Sequence, residues 1–163
     1  MTDFHIDVEI EAPPERVWAV MRDVERWPEW TPTVTSVRLL DSGPFAVGSR
    51  AIIRQPKLPP ARWRVTELDE PGRSFIWVSS GLGLRVIARH SVEACGAGSR
   101  AILSLRFSGI LAGLFGRLMR GLNDRYLALE AKGLKQRSEG SPPDPPSCND
   151  GAPNRISPIG PGN

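Results

Sequence analysis

With 163 residues, of which 40% are hydrophobic and 24% charged, the chain has the size and composition of one globular domain, and a fully disordered protein is excluded. No run approaches the roughly 18 consecutive apolar residues of a transmembrane helix, and the acidic N-terminus is unlike a signal peptide. We therefore expect a cytoplasmic protein without integral membrane association. The net charge of +3 is carried by arginines spread along the chain, which favours a solvated basic surface and no nucleic-acid partner.

The N-terminal segment predicts one strand followed by two short helices. Its first apolar residues alternate with polar ones and indicate a half-buried strand: Phe4, Ile6, Val8 and Ile10. Pro13 and Pro14 end this strand and suit the first turn of a helix, in which Val17, Trp18 and Met21 have helical spacing. Residues 23–27 then predict a second short helix that ends at Pro28.

From Val34 to Phe107 the sequence predicts an antiparallel meander, because short alternating segments are separated by turn signals rich in Pro and Gly. The last two strands are the clearest. Their inward faces are expected to carry Leu84, Val86, Ala88, His90 and Val92, and then Ala101, Leu103, Leu105 and Phe107.

Beyond Gly109 the period becomes helical and predicts one long helix. Its apolar stripe consists of Leu111, Leu114, Phe115, Leu118, Met119, Leu122, Tyr126 and Leu129. The layout is therefore α+β, and this stripe is expected to cover the sheet. Because the interior side chains are bulky but few, we expect a lined cavity between helix and sheet. Residues 139–163 are rich in Pro, Gly and Ser, and we interpret them as a disordered tail after a domain at 1–138.

Four segments carry a resemblance to a known family: IEAPPERVWAVMRDVERWPEWTPTV, VGSRAIIRQPKLPP, W-R-V-T-E-L and G-R-S-F-I-W. They are similar to the polyketide cyclase/dehydrase and lipid-transport family of the START-like (SRPBCC) superfamily, to which the major birch pollen allergen also belongs. The resemblance covers about residues 4–138. It implies a helix-grip fold, with a curved seven-stranded antiparallel sheet around a long C-terminal helix, two short helices after the first strand, and a hydrophobic tunnel. Family members bind, carry or transform polyketides, lipids and sterols.

Two polar residues on inward faces are candidates for ligand binding or proton transfer. A neutral His90 could act as a general base or bond a ligand carbonyl, and it could equally be a core histidine bonded to backbone. Tyr126, the only tyrosine, needs a hydrogen-bond partner if it is buried. That partner could be a ligand, or Tyr126 could be a packed core residue bonded to the protein itself. The cysteines Cys95 and Cys148 lack the spacing of a disulfide or zinc site, so we expect free thiols, no metal and no cofactor.

Other candidates would shape the cavity. Arg54 lies near a strand end, where it could recognise a carboxylate or carbonyl at the pocket mouth or simply be exposed. Three aromatic residues are predicted to point inward from neighbouring strands: Trp63, Phe75 and Trp77. They could form a flat wall of the cavity, or they could simply be an aromatic core. The remaining apolar candidates are Leu103, Leu118 and Leu122.

Three functions follow from these features. The first is binding or carriage of an apolar small molecule, such as a lipid, polyketide or aromatic metabolite, in the internal cavity. The second is a polyketide cyclase, aromatase or dehydratase that uses His90 or Tyr126 for proton transfer and Arg54 to stabilise an enolate oxygen. The third is a protein-interaction or surface-lipid role of the long helix through its basic residues, Arg117, Arg120, Arg125, Lys132 and Lys135. The sequence leaves the ligand and the oligomeric state open.

Overall fold

The computed structural model describes residues 2–140, which form a seven-stranded sheet, three α-helices and one 3-10 helix. The first part of the chain comprises β1 (Thr2–Ile10), α1 (Pro14–Arg22), the 3-10 helix (Val24–Glu29), β2 (Ser36–Leu39) and β3 (Arg50–Arg54). The second part comprises β4 (Ala61–Asp69), β5 (Ser74–Gly81), β6 (Leu84–Cys95), β7 (Gly98–Ser108), α2 (Ala112–Leu118) and α3 (Arg120–Glu139). Within residues 2–140, no helix combines the length and hydropathy needed to cross a bilayer.

The sheet is an antiparallel meander closed at one edge by the N-terminal strand. Its strand order is β1-β7-β6-β5-β4-β3-β2, so that every consecutive pair from β2 to β7 is hydrogen-bonded and β1 returns to pair with β7. A register shift between Val65 and Glu67 interrupts the pairing of β4 with β5. Such a bulge increases the local bend and twist of a strand, which helps the sheet to curve around its helix.

The β5–β6 hairpin has a two-residue turn whose geometry places a leucine in water. Gly81 pairs with Leu84, and both turn residues, Leu82 and Gly83, have positive φ angles of 50° and 74°. Positive φ at both central positions gives the twist that two-residue hairpins favour. The side chain of Leu82 consequently projects from the turn and is 96% exposed.

Helix α3 lies unusually close to the loop that follows the 3-10 helix. A Cβ atom placed on Gly133 would lie 2.1 Å from the backbone oxygen of Trp30, so only glycine permits this approach. The contact brings α3 against the N-terminal helices. Ion pairs then reinforce the docking, since Arg137 reaches Glu29 at 3.0 Å.

The seven-stranded α+β helix-grip architecture predicted from the sequence is confirmed. Two details differ. The second short helix is a 3-10 helix that continues past Pro28 to Glu29, because proline lacks only a donor that the short helix does not use. The predicted long helix is divided at Met119 into α2 and α3. The predicted tail begins at 139, which is still the last residue of α3, and its residues 141–163 lie outside the described part of the chain.

The prediction that the stripe from Leu111 to Leu129 covers the sheet is wrong for its first half. Leu114 and Leu118 are exposed, and α2 buries only Ala112 and Gly116. The residues of α3 that are buried belong to a different helical phase: Asn123, Leu127, Glu130, Ala131, Gly133, Leu134 and Ser138. The face of a helix that becomes buried depends on where the helix crosses the sheet, and residue periodicity alone does not contain that information.

Candidate functional site

A buried hydrogen bond between a histidine and a glutamate lies at the centre of the molecule. His90 projects inward from β6 and is 5% exposed, and Glu130 projects from α3 and is 9% exposed. Nε2 of His90 lies 3.1 Å from Oε1 of Glu130. With an ionised carboxylate, which can only accept, Nε2–H is the donor, and Nδ1 of the ring has no partner within residues 2–140.

Aromatic rings surround His90 and shield the pair from water. The ring of Phe75 stacks on the imidazole with centroids 4.7 Å apart and an angle of 7°. Trp27 and Trp77 have ring centroids 5.1 and 5.9 Å from it. Trp63 continues the cluster, 5.5 Å from Trp77. The polar pair is therefore set in a low-dielectric interior, where hydrogen bonds and charges interact more strongly than in water.

Several buried nitrogen atoms in the aromatic cluster or on the buried face of α3 have no hydrogen-bond partner within residues 2–140. They are Nε1 of Trp30, Nε1 of Trp63, Nδ1 of His90 and Nδ2 of Asn123. Trp30 contacts Trp27 with centroids 5.7 Å apart, and Asn123 precedes Glu130 by two turns on the buried face of α3. Buried polar groups are normally hydrogen-bonded, and three of these four atoms are N–H donors that can bond a carbonyl or hydroxyl oxygen.

The only tyrosine closes one side of this region. The hydroxyl of Tyr126 donates to the backbone oxygen of Pro56, in the loop between β3 and β4. Tyr126 lies one helical turn before Glu130, so the two side chains are neighbours on α3. This hydrogen bond ties the helix to the far edge of the sheet, and it engages the proton that a catalytic role for Tyr126 would need.

The structure brings together some of the residues selected from the sequence and separates others. His90, Trp63, Phe75 and Trp77 meet in the aromatic cluster, and Leu103 is buried beside them as the cross-strand partner of His90. Leu122 is half-buried on α3.

Two of the candidates do not reach the site. Arg54 is exposed, because Ala51 and Ile53 occupy the inward positions of β3 and alternation directs Arg54 outward. Leu118 is 75% exposed at the end of α2.

Sequence reasoning missed Glu130 and Asn123. The signal was a second helical phase in which Leu127, Ala131 and Leu134 are apolar and Glu130 is the one charged residue among them. A glutamate within an apolar face is rare unless it is paired, so this phase predicts a buried partner. The longer leucine stripe from Leu111 to Leu129 predicted a different buried face, so this second phase was not recognised.

The surface depressions lie elsewhere. One of about 330 Å³ lies on the outer face of the sheet, where Ile76, Ile87 and Arg89 project. Another of about 490 Å³ adjoins the β6–β7 turn near Cys95, which carries a free thiol. Neither of these two is the lined cavity that the sequence predicts between the helix and the sheet, where the aromatic cluster is packed instead. Among residues 2–140, no group of three or more His, Cys, Asp or Glu side chains is arranged to hold a metal ion.

Charged groups that hold α3 in place have perturbed acidities. The pKa of Glu139 lies below its ordinary value because the backbone N–H of Glu11 donates to its carboxylate and Lys135 also bonds it. The pKa of Glu29 is lowered by its hydrogen bond to Arg26, with Arg137 contributing. Both carboxylates lie at the periphery of the molecule, where they anchor the helix that carries Glu130.

Comparison with known proteins agrees with this architecture. The family model described as polyketide cyclase / dehydrase and lipid transport matches residues 1–139. The chain belongs to this family. Membership of the polyketide cyclase/dehydrase family supports a role in binding a hydrophobic ligand or in cyclisation. A search of curated protein sequences returned no match.

Solved structures with the same fold include proteins of different activities. TTHA0849 from Thermus thermophilus is 22% identical, with a TM-score of 0.68, and the match covers 83% of this chain and 96% of that protein. The aromatase/cyclase Zhui from Streptomyces sp. R1128 is 16% identical, with a TM-score of 0.66, and the match covers 84% of this chain and 93% of that protein. Norcoclaurine synthase from Thalictrum flavum is 15% identical, with a TM-score of 0.67, and the match covers 84% of this chain and 93% of that protein. At these identities the likeness establishes the fold alone.

Proposed function

We propose that the chain binds an apolar small molecule that carries a carbonyl or hydroxyl oxygen, between the curved sheet and α3. The observation that carries the proposal is the buried His90–Glu130 hydrogen bond inside an aromatic cluster that also holds unpartnered N–H donors. Small-molecule sites are largely apolar and contain a few polar groups that fix the orientation of the ligand. Aromatic walls with N–H groups from Trp63 and Asn123 have that character.

Because the rings are buried and packed against one another, part of the cluster would have to move to admit the ligand, which would then lie flat against the remaining rings and direct its oxygen to these donors. A ligand oxygen that bonds these N–H groups would recover the cost of about 1–3 kcal/mol that each unbonded buried group carries, whereas a saturated hydrocarbon would recover none of it. A ligand with one oxygen at the right distance avoids that cost. The proposed ligand class is therefore lipids, polyketides or aromatic metabolites that carry a carbonyl or hydroxyl group, and pure hydrocarbons are disfavoured.

The first test combines native mass spectrometry with a pair of tryptophan variants. Protein purified under non-denaturing conditions is expected to release a small apolar molecule on denaturation. Trp63→Phe removes an N–H that has no protein partner within residues 2–140, so it should weaken ligand binding by about tenfold and change stability little.

Trp18→Phe is the matched control, because its N–H is already bonded to Glu70 at 3.0 Å and is not available to a ligand. It should lower stability and leave affinity unchanged. Binding of 1-anilinonaphthalene-8-sulfonate and of a flavone, followed by tryptophan fluorescence, supplies the affinities. Equal affinities for both variants and the parent protein would contradict the proposed site.

A second candidate function, cyclisation or dehydration of a polyketide, is favoured by the same pair of residues. A carboxylate that accepts from one imidazole nitrogen orients the ring and stabilises the imidazolium that forms when the other nitrogen takes a proton. His90 would remove a proton next to a ligand carbonyl, and N–H donors of Trp63 or Asn123 would stabilise the enolate oxygen. Exposed Arg54 has no part in this scheme.

This candidate is tested with a linear poly-β-ketone thioester. His90→Gln and Glu130→Gln should retain binding and lower turnover by about 10²- to 10⁴-fold. If the parent protein binds the compound and releases it unchanged, the binding function stands alone.

A further inference from the structure

The apolar end of the molecule formed by the β5–β6 turn and α2 is unlike the rest of its surface. Four large aliphatic side chains project there: Leu82 at 96% exposure, Ile110 at 91%, Leu114 at 67% and Leu118 at 75%. We call these four residues the apolar tip. Large exposed aliphatic side chains grouped at one end of a protein are of the kind that marks interaction sites.

The two parts of the apolar tip are held against each other by backbone contacts. The backbone N–H of Leu111 donates to the oxygen of Gly83 at 3.4 Å. A Cβ on Gly83 would lie 3.0 Å from Cγ1 of Ile110, which shows that this side chain rests on the hairpin turn. Leu82 therefore projects beside the start of α2.

Helix α2 is apolar on both its buried and its exposed side. Ala112 and Gly116 face the protein, whereas Leu114 and Leu118, one helical turn apart, face away from it, and exposed Ile110 lies just before the helix. The only polar side chain in the helix is that of Arg117. A helix that is apolar all round is typical of complete burial, so the outward side of α2 lacks the partner that its composition requires.

Positive charge borders the apolar tip without compensation. Arg85, Arg117 and Arg120 are exposed, and within residues 2–140 no carboxylate lies at ion-pair distance from any of them. The sequence has no acidic residue between Glu93 and Asp124. The carboxylate of Asp3, on the adjoining strand β1, is already paired with Arg106 at 2.8 Å. The tip therefore presents aliphatic side chains within a rim of guanidinium groups that no carboxylate of the described residues neutralises.

We propose that this end of the molecule docks on an anionic lipid bilayer, with the apolar tip inserted among the acyl chains and the three arginines at the headgroups. The combination of aliphatic anchors and free cations is the one that holds amphipathic surfaces at such membranes. The tip is built from leucine and isoleucine without Trp or Tyr, whereas protein-binding hot spots are enriched in Trp and Tyr and under-represent leucine. The proposal is independent of the ligand-binding function.

The test is co-sedimentation of the full chain with two kinds of vesicle, phosphatidylcholine alone and an equal mixture of phosphatidylcholine and phosphatidylglycerol. The protein should bind the anionic vesicles more tightly, and high salt should weaken that binding because it screens the arginines. Leu82→Asn combined with Leu118→Ser should lower partitioning by at least about tenfold. Asn is chosen at 82 because it tolerates positive φ.

Charge variants and matched controls make the test specific to the apolar tip. Arg117→Gln with Arg120→Gln should lower partitioning by about tenfold or more. Val47→Ser and Arg62→Gln, at exposed sites outside the tip, should leave it unchanged. Circular dichroism melting confirms that every variant folds.

Several outcomes would overturn the proposal. One is no vesicle binding by the parent protein, and another is equal loss in the Val47→Ser control. The third combines two results: the parent protein does not bind vesicles, and sedimentation velocity shows a dimer that Leu82→Asn with Leu118→Ser abolishes. That combination would assign the tip to self-association.

Discussion

Oε1 of Glu130 on α3 lies 3.1 Å from Nε2 of His90 on β6, so that one hydrogen bond joins the single long helix to the middle of the sheet. The pair is buried, and aromatic rings pack around His90, so that little water reaches either side chain. Removing either side chain leaves the other as a buried polar group without its partner. The pair is consequently as important for the fold as for any chemistry that it performs.

The coupling between the two residues is measurable by a double-mutant cycle. His90→Ala and Glu130→Ala should each lower the free energy of unfolding by about 1–3 kcal/mol, because each leaves a buried group unsatisfied. The double variant should be less destabilised than the sum of the two, by at least about 0.5 kcal/mol. Urea denaturation supplies the values. Exposed Glu93→Ala on β6 is the control and should change stability by less than about 0.5 kcal/mol, and additive effects would contradict a direct interaction.

Helix α3 should tolerate alanine at one glycine and reject it at another. Gly133→Ala places a Cβ 2.1 Å from the backbone oxygen of Trp30, which no rotamer can relieve, and should cost about 1–3 kcal/mol. Gly121→Ala meets no atom within 4 Å and should stabilise the helix by about 0.5–1 kcal/mol. Thermal melting compares the two. A neutral Gly133→Ala would mean that α3 can move away from Trp30 at no cost.

Acid should weaken the anchoring of α3 through Glu139. Its pKa in the folded protein is lowered from about 4.5, first by the N–H of Glu11 and then by Lys135. The stabilisation is therefore fully present at a pH above the pKa of Glu139 in the unfolded chain, and it is lost as the pH falls through the pKa in the folded protein. Glu139→Gln should therefore melt at a lower temperature than the parent protein at neutral pH. The difference should shrink below about pH 4. Exposed Glu67→Gln serves as the control, and a gap that persists in acid would contradict this cause.

The hydroxyl of Tyr126 should control exit from the proposed site. Tyr126→Phe removes its hydrogen bond to Pro56, which should cost about 0.5–1.5 kcal/mol of stability and speed the release of bound 1-anilinonaphthalene-8-sulfonate. Thr66→Val is the matched control, because it removes a bond to the oxygen of Ile76 on the outer face of the sheet. Stopped-flow fluorescence gives both rates. Identical release from Tyr126→Phe and the parent protein would exclude this loop from the exit route.

The strands and the inward direction of His90, Trp63, Phe75 and Trp77 follow from local alternation, which is a property of the extended backbone and needs no knowledge of neighbours. The partner of His90 did not follow from it. Glu130 is 40 residues away along the chain and lies on a helix whose buried phase is set by docking at Gly133. Arg54 and Leu118 were misplaced for related reasons, since the parity of a strand as short as β3 and the rotation of a helix both depend on tertiary contacts.

The sequence by itself determined the α+β architecture, the order of its elements and the aromatic character of the interior, because periodicity and turn residues act over a few positions. Only the tertiary structure decided which face of the C-terminal helices is buried. That choice pairs Glu130 with His90 and leaves Leu114 and Leu118 in water. Helix rotation is fixed by close packing against residues that are distant in the chain, and periodicity cannot encode it when a helix is apolar on more than one face.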